Sequence, residues 1–203
     1  LPSASSSLSA YAVARVRLPK EEPMRHEAGA LTVLALGSNL GDRLGLLRRA
    51  VRGLVEGGVL PDLVSSVYET PPLGLLEQPD FLNLVVAGWS GLGPGRLLAL
   101  ARRLEAEAGR LRTVPNGPRT LDVDLLFLGD RIVRREEVIV PHPRWKERSF
   151  VVRPLEEILP HLMDPETGLR VEEVAGLWPL APESIRVVEG PEAVRDDRRK
   201  GAP

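Results

Sequence analysis

Residues 117–127 read Gly117-Pro118-Arg119-Thr120-Leu121-Asp122-Val123-Asp124-Leu125-Leu126-Phe127. The Gly-Pro turn leads into an apolar run that is typical of a buried strand, although aspartate is disfavoured in strands. Because side chains alternate along a strand, Asp122 and Asp124 share one face, and the leucine and valine side chains beside them point the other way. The stretch therefore predicts a core strand with two carboxylates side by side on its other face.

These paired carboxylates predict a metal site. Like charges repel unless a cation lies between them, and Mg²⁺ takes oxygen ligands and commonly binds the phosphates of a nucleotide as well. An Asp-x-Asp motif is short, so the alternative interpretation is a polar strand face in contact with water. The neighbouring arginines favour the metal site.

Three arginines, Arg110, Arg112 and Arg119, lie just ahead of the aspartate pair. An arginine cluster beside metal-binding carboxylates suits a polyphosphate, because the metal neutralises some phosphate oxygens and the guanidinium groups hold the others. The alternative is a helix C-terminus that carries arginine to suit its dipole, which explains Arg110 but not Arg119.

Composition and charge limit the remaining possibilities. The chain has 203 residues, which suffice for one domain with a core, a formal net charge of -1 and no cysteine. It therefore lacks the basic field of a nucleic-acid-binding protein, a thiolate metal site and a cysteine nucleophile. No apolar run is long enough to span a bilayer, and the N-terminus has no signal-peptide pattern. We expect a cytoplasmic, monomeric protein that binds neither nucleic acid nor membranes.

We divide the chain into three segments. Residues 1–29 are rich in serine and are interrupted by two prolines, so we expect a flexible N-terminal tail, either a misplaced start ahead of Met24 or the end of a preceding domain. Residues 30–180 are expected to form the folded domain. Residues 181–203 carry many charges and have little to bury, so we expect a disordered C-terminal tail.

Hydrophobic periodicity within the domain predicts strands at 31–36, 61–69, 82–89 and 121–128 and helices at 42–56 and 94–109. Asp42 is suited to cap the first helix, Pro94 to begin the second and Gly109 to follow its end. The order β-α-β-β-α-β predicts an α+β fold with a ferredoxin-like core. Residues 138–140 and 149–152 are predicted to add strands, and residues 154–159 and 171–177 to form short helices.

Two further segments are candidates for binding. The connection from Thr70 to Asn83 contains three prolines and a glycine, and long connections in compact domains are often functional. Its end residues offer donors and acceptors to a planar heterocycle, on which Phe81 could stack; the alternative is a rigid crossover. The second segment holds His142 between two prolines, with Arg148 following, and is suited to bind a phosphate or ribose.

Taken together, these features resemble the 6-hydroxymethyl-7,8-dihydropterin pyrophosphokinase family. The matching blocks, in family order, are Ala35-Leu36-Gly37-Ser38-Asn39-Leu40-Gly41-Asp42, Tyr68-Glu69-Thr70-Pro71-Pro72-Leu73-Gly74, Gln78-Pro79-Asp80-Phe81-Leu82-Asn83, Gly109-Arg110-x-Arg112, Gly117–Asp124 and Pro141-His142. The resemblance covers roughly residues 31–175. It implies a three-layer αβα domain built on a ferredoxin-like core, which agrees with the periodicity.

The resemblance also implies a role for each candidate site residue. Asp122 and Asp124 would hold two Mg²⁺ ions on ATP, and Arg110 and Arg119 would be catalytic by gripping the migrating pyrophosphoryl group. The remaining ATP-binding residues would be Glu105, Arg112, His142 and Arg148. The pterin-binding residues would be Thr70, Pro71, Leu73, Phe81, Asn83 and Phe150.

The implied reaction is transfer of pyrophosphate from ATP to the hydroxymethyl group of the pterin, with release of AMP, in folate biosynthesis. Two other classes remain open: a nucleotidyltransferase with two metals, and a non-catalytic RNA-binding ferredoxin-like module. One departure is visible, because many family members carry an arginine and an aromatic residue where this chain has Pro115 and Asn116. Trp145 is a candidate to replace that aromatic side chain.

Overall fold

The computed structural model describes residues 29–73, 77–110, 117–177 and 185–195. Its strands are β1 (Ala30–Ser38), β2 (Leu60–Val64), β3 (Val67–Thr70), β4 (Phe81–Ser90), β5 (Asp122–Leu128), β6 (Val133–Arg134), β7 (Ile139–Val140) and β8 (Arg186–Glu189). Its helices are α1 (Arg43–Glu56), α2 (Pro94–Glu107), α3 (Ser149–Ile158) and α4 (Val171–Gly176). Residues 1–28 of the predicted N-terminal tail and Arg112 lie outside the described residues. The predicted mixture of helices and antiparallel sheet is confirmed.

A six-stranded antiparallel sheet organises the molecule. Its strand order is β5-β1-β4-β3-β8, and β2 pairs with another part of β4. The register places Gly37 of β1 opposite Asn83 of β4 on one side and opposite Asp122 of β5 on the other. One end of the sheet therefore brings together the two segments that the sequence singles out, the paired aspartates and the end of the 70–83 connection.

The sheet has a hydrophobic core on each of its two faces. Side chains along β1 point alternately to the two faces of the sheet. Leu34 and Leu36 pack in a cluster with α1 and α2, and Val33 packs in a second cluster with α3 and α4. Burial of apolar side chains on both faces stabilises the central strands, which accounts for the nearly continuous apolar sequence of β4. No helix among the described residues is long and apolar enough to cross a membrane.

The ends of the first two helices follow local sequence signals. The Asp42 carboxylate accepts a hydrogen bond of 3.0 Å from the Gly45 N–H, as expected for an N-cap residue. Pro94 occupies the first turn of α2, where its missing N–H costs nothing. Gly109 follows α2 with a φ of 72°, a conformation that glycine adopts without steric cost. The chain then turns toward β5 with Arg110 at its start.

Two predicted strands differ from the structure. The predicted strand at 61–69 is split into β2 and β3 at Ser65 and Ser66, where the Glu157 carboxylate of α3 accepts bonds of 3.0 Å from the Ser66 N–H and 2.9 Å from its hydroxyl. The predicted strand at 149–152 is wrong, because these residues form the first turns of α3. Their β-branched valines favour a strand locally, but helical spacing buries them with Leu155 on the sheet, and packing overrides propensity.

The C-terminal segment that we expected to be disordered contributes a strand. Residues 186–189 form β8, which pairs antiparallel with β3, and Val194 is buried in the core. Arg186 forms an ion pair with Glu69, and this partner lowers the pKa of the Glu69 carboxyl. We expected disorder because the segment has few apolar residues. Such a segment can still form an edge strand, because an open sheet edge can be paired through backbone hydrogen bonds alone. For residues 186–189 the expectation of disorder is therefore wrong.

Candidate functional site

A cavity of about 360 Å³ opens at the end of the sheet where β1, β4 and β5 meet. Its walls come from these strands, from the residues that follow β3 and from the segment between β7 and α3. The predicted site residues that line it are Thr70, Pro71, Leu73, Phe81, Asn83, Arg110, Arg119, Asp122, Asp124, His142, Arg148 and Phe150. The fold therefore assembles in one cavity residues that are up to 80 positions apart in sequence.

The aspartates on β5 are held by the arginines around them. Asp122 accepts a hydrogen bond of 2.6 Å from Arg110 on one oxygen and a bond of 2.7 Å from Arg119 on the other. Asp124 accepts a bond of 2.7 Å from Arg148. All five side chains are partly or largely buried, with exposed fractions between 14% and 30%. The charges of the two carboxylates are thus balanced by cations from three different segments.

This donor set is compatible with Mg²⁺ when a nucleotide supplies further oxygens. Asp122 and Asp124 present their carboxylates from the same strand face toward the cavity, as the alternation predicts. Among the residues that the structure describes, no group of three or more His, Asp or Glu side chains could hold a metal alone. Mg²⁺ is commonly bound by one or two carboxylates together with waters and substrate phosphates, so a pair is enough.

Glu105 lies behind this cluster and does not line the cavity. Its buried carboxylate accepts hydrogen bonds from Arg110 and, at 3.0 Å, from the backbone N–H of Val123. Arg110 thus lies between two carboxylates, Glu105 and Asp122. Glu105 holds Arg110 against β5.

His142 has a defined orientation at the same end of the cavity. The ring atom Nδ1 accepts a hydrogen bond of 3.2 Å from the backbone N–H of Arg144. The backbone N–H of His142 donates to the Leu126 carbonyl at 2.9 Å. Burial lowers the pKa of His142, while the nearby Asp124 carboxylate raises it. A neutral ring whose Nδ1 accepts carries its proton on Nε2, which lies 3.9 Å from the Asp124 carboxylate. Nε2 can therefore donate a hydrogen bond into the cavity.

The other half of the cavity is uncharged. Asn83 and Thr70 are buried and joined by a hydrogen bond of 2.8 Å from the Asn83 amide to the Thr70 hydroxyl. The Cζ atom of Arg119 lies 5.6 Å from the centroid of the Phe81 ring, and the Cζ atom of Arg148 lies 5.7 Å from the centroid of the Phe150 ring. This half therefore offers amide and hydroxyl groups between aromatic rings, which suits a flat polar heterocycle.

Gly37 forms part of the floor beneath this uncharged half. A Cβ atom at this position would lie 2.8 Å from the side-chain oxygen of Asn83, which is shorter than a normal contact. The sequence indicated Gly37 only as a member of the Ala35–Asp42 block that resembles the family. Its absent side chain is what leaves room beside the Asn83 amide.

Two further residues at the site were not predicted. Asn39 is buried and joins two other segments. Its amide donates to the Gln78 side chain and to the Pro79 carbonyl, both at 3.0 Å, and its side-chain oxygen accepts from the Arg119 N–H at 2.7 Å. Its position in the Ala35–Asp42 block that resembles the family was the available signal. The second is Arg144, which lines the cavity. No sequence pattern distinguished it from the other exposed arginines.

The structure rejects one candidate and leaves another untested. Trp145 was a candidate to replace a missing aromatic side chain at the site. It is 1% exposed and packs edge to face on Phe127 in the core, with 5.2 Å between the ring centroids, so it does not face the cavity. Arg112 lies outside the described residues, as do Pro115 and Asn116.

Residues 33–160 match the family model described as 7,8-dihydro-6-hydroxymethylpterin-pyrophosphokinase (HPPK). A Bacillus subtilis protein named 2-amino-4-hydroxy-6-hydroxymethyldihydropteridine pyrophosphokinase is 42% identical over 144 residues, which are 70% of this chain and 86% of that protein. A protein of the same name from Aquifex aeolicus is 38% identical over 136 residues, or 67% of this chain and 84% of that protein.

Longer relatives also match. The chain is 42% identical over 135 residues to the mitochondrial folate synthesis bifunctional protein of Arabidopsis thaliana, and the match covers 66% of this chain but only 24% of that protein. Its fold is similar to that of wild-type Plasmodium falciparum HPPK-DHPS, with a TM-score of 0.56 and 13% identity over 73% of this chain and 44% of that chain. The family model and the bacterial relatives cover most of the folded part, and the chain belongs to the 7,8-dihydro-6-hydroxymethylpterin-pyrophosphokinase (HPPK) family.

Proposed function

We infer that the protein transfers the β,γ-pyrophosphoryl group of ATP to the hydroxymethyl oxygen of 6-hydroxymethyl-7,8-dihydropterin, in folate biosynthesis. The observation that carries this proposal is the division of the cavity into a half with arginines and aspartates and a half with amide, hydroxyl and aromatic groups. The first half suits a polyphosphate and the second a neutral heterocycle. The names of the bacterial relatives support the same substrates.

We propose that the pterin occupies the uncharged half. Asn83 and Thr70 would bind the polar edge of its ring, and Phe81 and Phe150 would contact its faces. Pro71 and Leu73 line the same half; Leu73 is 57% exposed and would be covered on binding. A buried polar pair that loses its partners is costly, so these groups would select for a ring with matching donors and acceptors.

We propose that ATP occupies the charged half, with Arg110 and Arg119 on the migrating pyrophosphoryl group and Arg148, His142 and Arg112 on the rest of the nucleotide. Arg110, Arg119 and Arg148 all form ion pairs with aspartates in the structure. Phosphate oxygens would replace the aspartate oxygens as their partners. Glu105 would act on Arg110 as a positioning residue and would not touch the nucleotide itself.

Asp122 and Asp124 would then be released to hold Mg²⁺, for which we propose two ions. When bound, Mg²⁺ neutralises phosphate oxygens and orients the triphosphate. The supporting observation is the donor set described above, two carboxylates on one strand face beside cations that have an alternative partner in ATP.

The residues of this chain would contribute mainly by positioning. The hydroxymethyl oxygen attacks the β-phosphorus and loses its proton to water, the bond from this phosphorus to the oxygen bridging to the α-phosphorus breaks, and AMP leaves. Asp122 and Asp124 both face arginines, so neither is placed as a general base. Holding both substrates in line and placing arginines on the migrating charge can supply a large part of the acceleration.

We further propose that the sheet with α1 and α2 is a ferredoxin-like core and that α3 and α4 complete a three-layer αβα domain over residues 30–180. The two hydrophobic clusters on opposite sheet faces support this layering. A monomer in the cytoplasm remains our expectation. Some relatives are named as mitochondrial proteins, so cell fractionation is the relevant measurement.

Product analysis with labelled ATP tests the proposed function. The purified chain is incubated with Mg²⁺, 6-hydroxymethyl-7,8-dihydropterin and ATP labelled on the γ-phosphate. We expect AMP and a pterin diphosphate that carries the label. Free pyrophosphate would indicate a nucleotidyltransferase, ADP would indicate transfer of one phosphate, and tight RNA binding without turnover would indicate the RNA-binding module; each would overturn the proposal.

A further inference from the structure

Arg144 lines the same cavity as the predicted nucleotide residues, between His142 and Arg148 in sequence. Neither the motifs nor the resemblance assigned it a role. Its backbone N–H is bonded to the His142 ring, and that ring lies 3.9 Å from Asp124, so Arg144 belongs to the charged half and not to the half with Thr70 and Asn83. This location makes it a candidate to contact the phosphates of the nucleotide.

The backbone of Arg144 is held in place from both sides. Its N–H donates to His142 Nδ1 at 3.2 Å, and its carbonyl accepts from the Glu147 N–H at 3.2 Å. The next residue, Trp145, is anchored in the core against Phe127, and Lys146 forms an ion pair with the buried Asp164. The Cα atom of Arg144 therefore has a fixed position relative to β5, and binding would order only its side chain.

The guanidinium of Arg144 differs from the neighbouring arginines in having no partner among the residues that the structure describes. Within the parts of the chain that the structure describes, it makes no hydrogen bond or ion pair, whereas Arg110, Arg119 and Arg148 are each bound to an aspartate. An anion that binds any of these three competes with a carboxylate for the same guanidinium charge. It can bind Arg144 without breaking an existing ion pair, so this side chain is available in the free protein.

We propose that Arg144 is a nucleotide-binding residue that contacts the polyphosphate of ATP before the reaction starts. The proposal rests on the proposed function for the identity of the nucleotide. A guanidinium recognises phosphate through charge-assisted hydrogen bonds, and the neutral pterin offers no such partner. Because the proposed contact is already made when ATP binds, it stabilises bound ATP and the transition state about equally, which distinguishes it from the proposed contacts of Arg110 and Arg119.

The test compares Arg144→Ala with Arg144→Lys and with Arg135→Ala. Arg135 is exposed on the turn between β6 and β7 and does not line the cavity. Its substitution by alanine removes the same charge as Arg144→Ala. Calorimetry with an α,β-methylene ATP analogue and Mg²⁺ gives the Kd of each variant. We expect Arg144→Ala to raise this Kd about 10-fold or more, Arg144→Lys to raise it less, and Arg135→Ala to leave it within about 2-fold.

Two further measurements make the assignment specific. The Kd of Arg144→Ala should depend less steeply on salt concentration than that of the wild type, and kcat should fall far less than Kd rises. Thermal melts of the variants check folding, and the lysine variant retains the charge if the alanine variant is unstable. A Kd for Arg144→Ala equal to that of Arg135→Ala, or a loss confined to kcat, would overturn the proposal.

Failure of the proposed function gives a different result. If the wild type makes no AMP from ATP and the pterin, the proposed reaction is wrong whatever the variants show. If the wild type is active and binding of the analogue is insensitive to Arg144, only the assignment of Arg144 is wrong.

Discussion

The guanidinium of Arg148 lies 2.7 Å from a carboxylate oxygen of Asp124, so a residue expected to bind the nucleotide holds a residue expected to bind the metal. The relationship is repeated at Asp122, which is bound by Arg110 and Arg119. The arginines stabilise the aspartates without metal, and in the proposed function they exchange these carboxylates for phosphate when ATP binds. Metal binding and nucleotide binding should therefore be coupled.

We predict that free protein binds Mn²⁺, used as a paramagnetic probe for Mg²⁺, much more weakly than the complex with the α,β-methylene ATP analogue. The arginines compete with the metal in the free protein, and the analogue both removes them and adds phosphate ligands. Arg148→Ala should raise the affinity of free protein for Mn²⁺ several-fold, and Arg135→Ala should not. Electron paramagnetic resonance titrations measure this, and equal affinity in the wild type and Arg148→Ala would contradict competition.

We predict that Asp122→Ala or Asp124→Ala nearly abolishes turnover while the protein remains folded. Loss of a metal ligand removes charge stabilisation of several kcal/mol from the transition state. From sequence, relief of repulsion between the aspartates would leave stability unchanged or raise it. The ion pairs reverse this expectation, and Asp122→Ala should lower the free energy of unfolding by about 1–2 kcal/mol because it leaves Arg119 without its carboxylate partner and Arg110 paired with Glu105 alone. Urea unfolding measures the change in stability, and activity assays measure the loss of turnover. Turnover close to that of the wild type would exclude the metal role.

We predict that Arg110→Ala and Arg119→Ala lower kcat more than they weaken binding of the ATP analogue. A guanidinium directed at the migrating group matters most in the transition state. Arg119→Lys should restore only part of kcat, because an ammonium cannot form the bidentate contact. Steady-state kinetics with direct binding measurements separate the two effects; variants that changed only the affinity for the analogue would be ground-state binders.

We predict that Gly37→Ala raises the KM for the pterin by about 10-fold or more and leaves the Kd for the ATP analogue nearly unchanged. The added Cβ would lie 2.8 Å from the Asn83 side-chain oxygen and displace the amide from its bond with Thr70. Gly41→Ala provides a control for loss of a glycine in the same region, because its Cβ would contact nothing within 4 Å although its φ of 68° makes the change strained. Pterin kinetics equal for wild type and Gly37→Ala would place the pterin elsewhere.

We predict that Asp164→Asn destabilises the protein at neutral pH by about 3 kcal/mol and that the difference from wild type shrinks below about pH 3.8. Burial raises the pKa of Asp164, but bonds from Lys146, the Glu166 N–H and Thr167 outweigh burial, and the pKa is below its ordinary value. A lowered pKa means that the stabilisation is present above the unfolded pKa and is lost as pH falls through the folded value. Urea unfolding of both proteins at pH 7 and pH 3 measures this, and a difference that is independent of pH would contradict the role of the charge.

Local rules predicted the helix ends and the strand that carries the aspartates. Asp42, Pro94 and Gly109 lie where the helices begin and end, because capping depends on neighbours within four residues. Prediction failed where distant packing decides. Ser149 begins a helix and not a strand, because the valines after it are buried against the far face of the sheet.

The sequence by itself determined most of the residues that line the cavity, and it determined the common face of Asp122 and Asp124. Side-chain alternation is a property of the extended backbone and requires no knowledge of the fold. Only the tertiary structure decided that Arg148 binds Asp124, that the Arg144 guanidinium has no partner among the described residues, and that Gly37 lies beside Asn83. These relationships join residues on separate segments. Strand register and the packing of α3 on the sheet set their distances, and both depend on burial summed over the whole core.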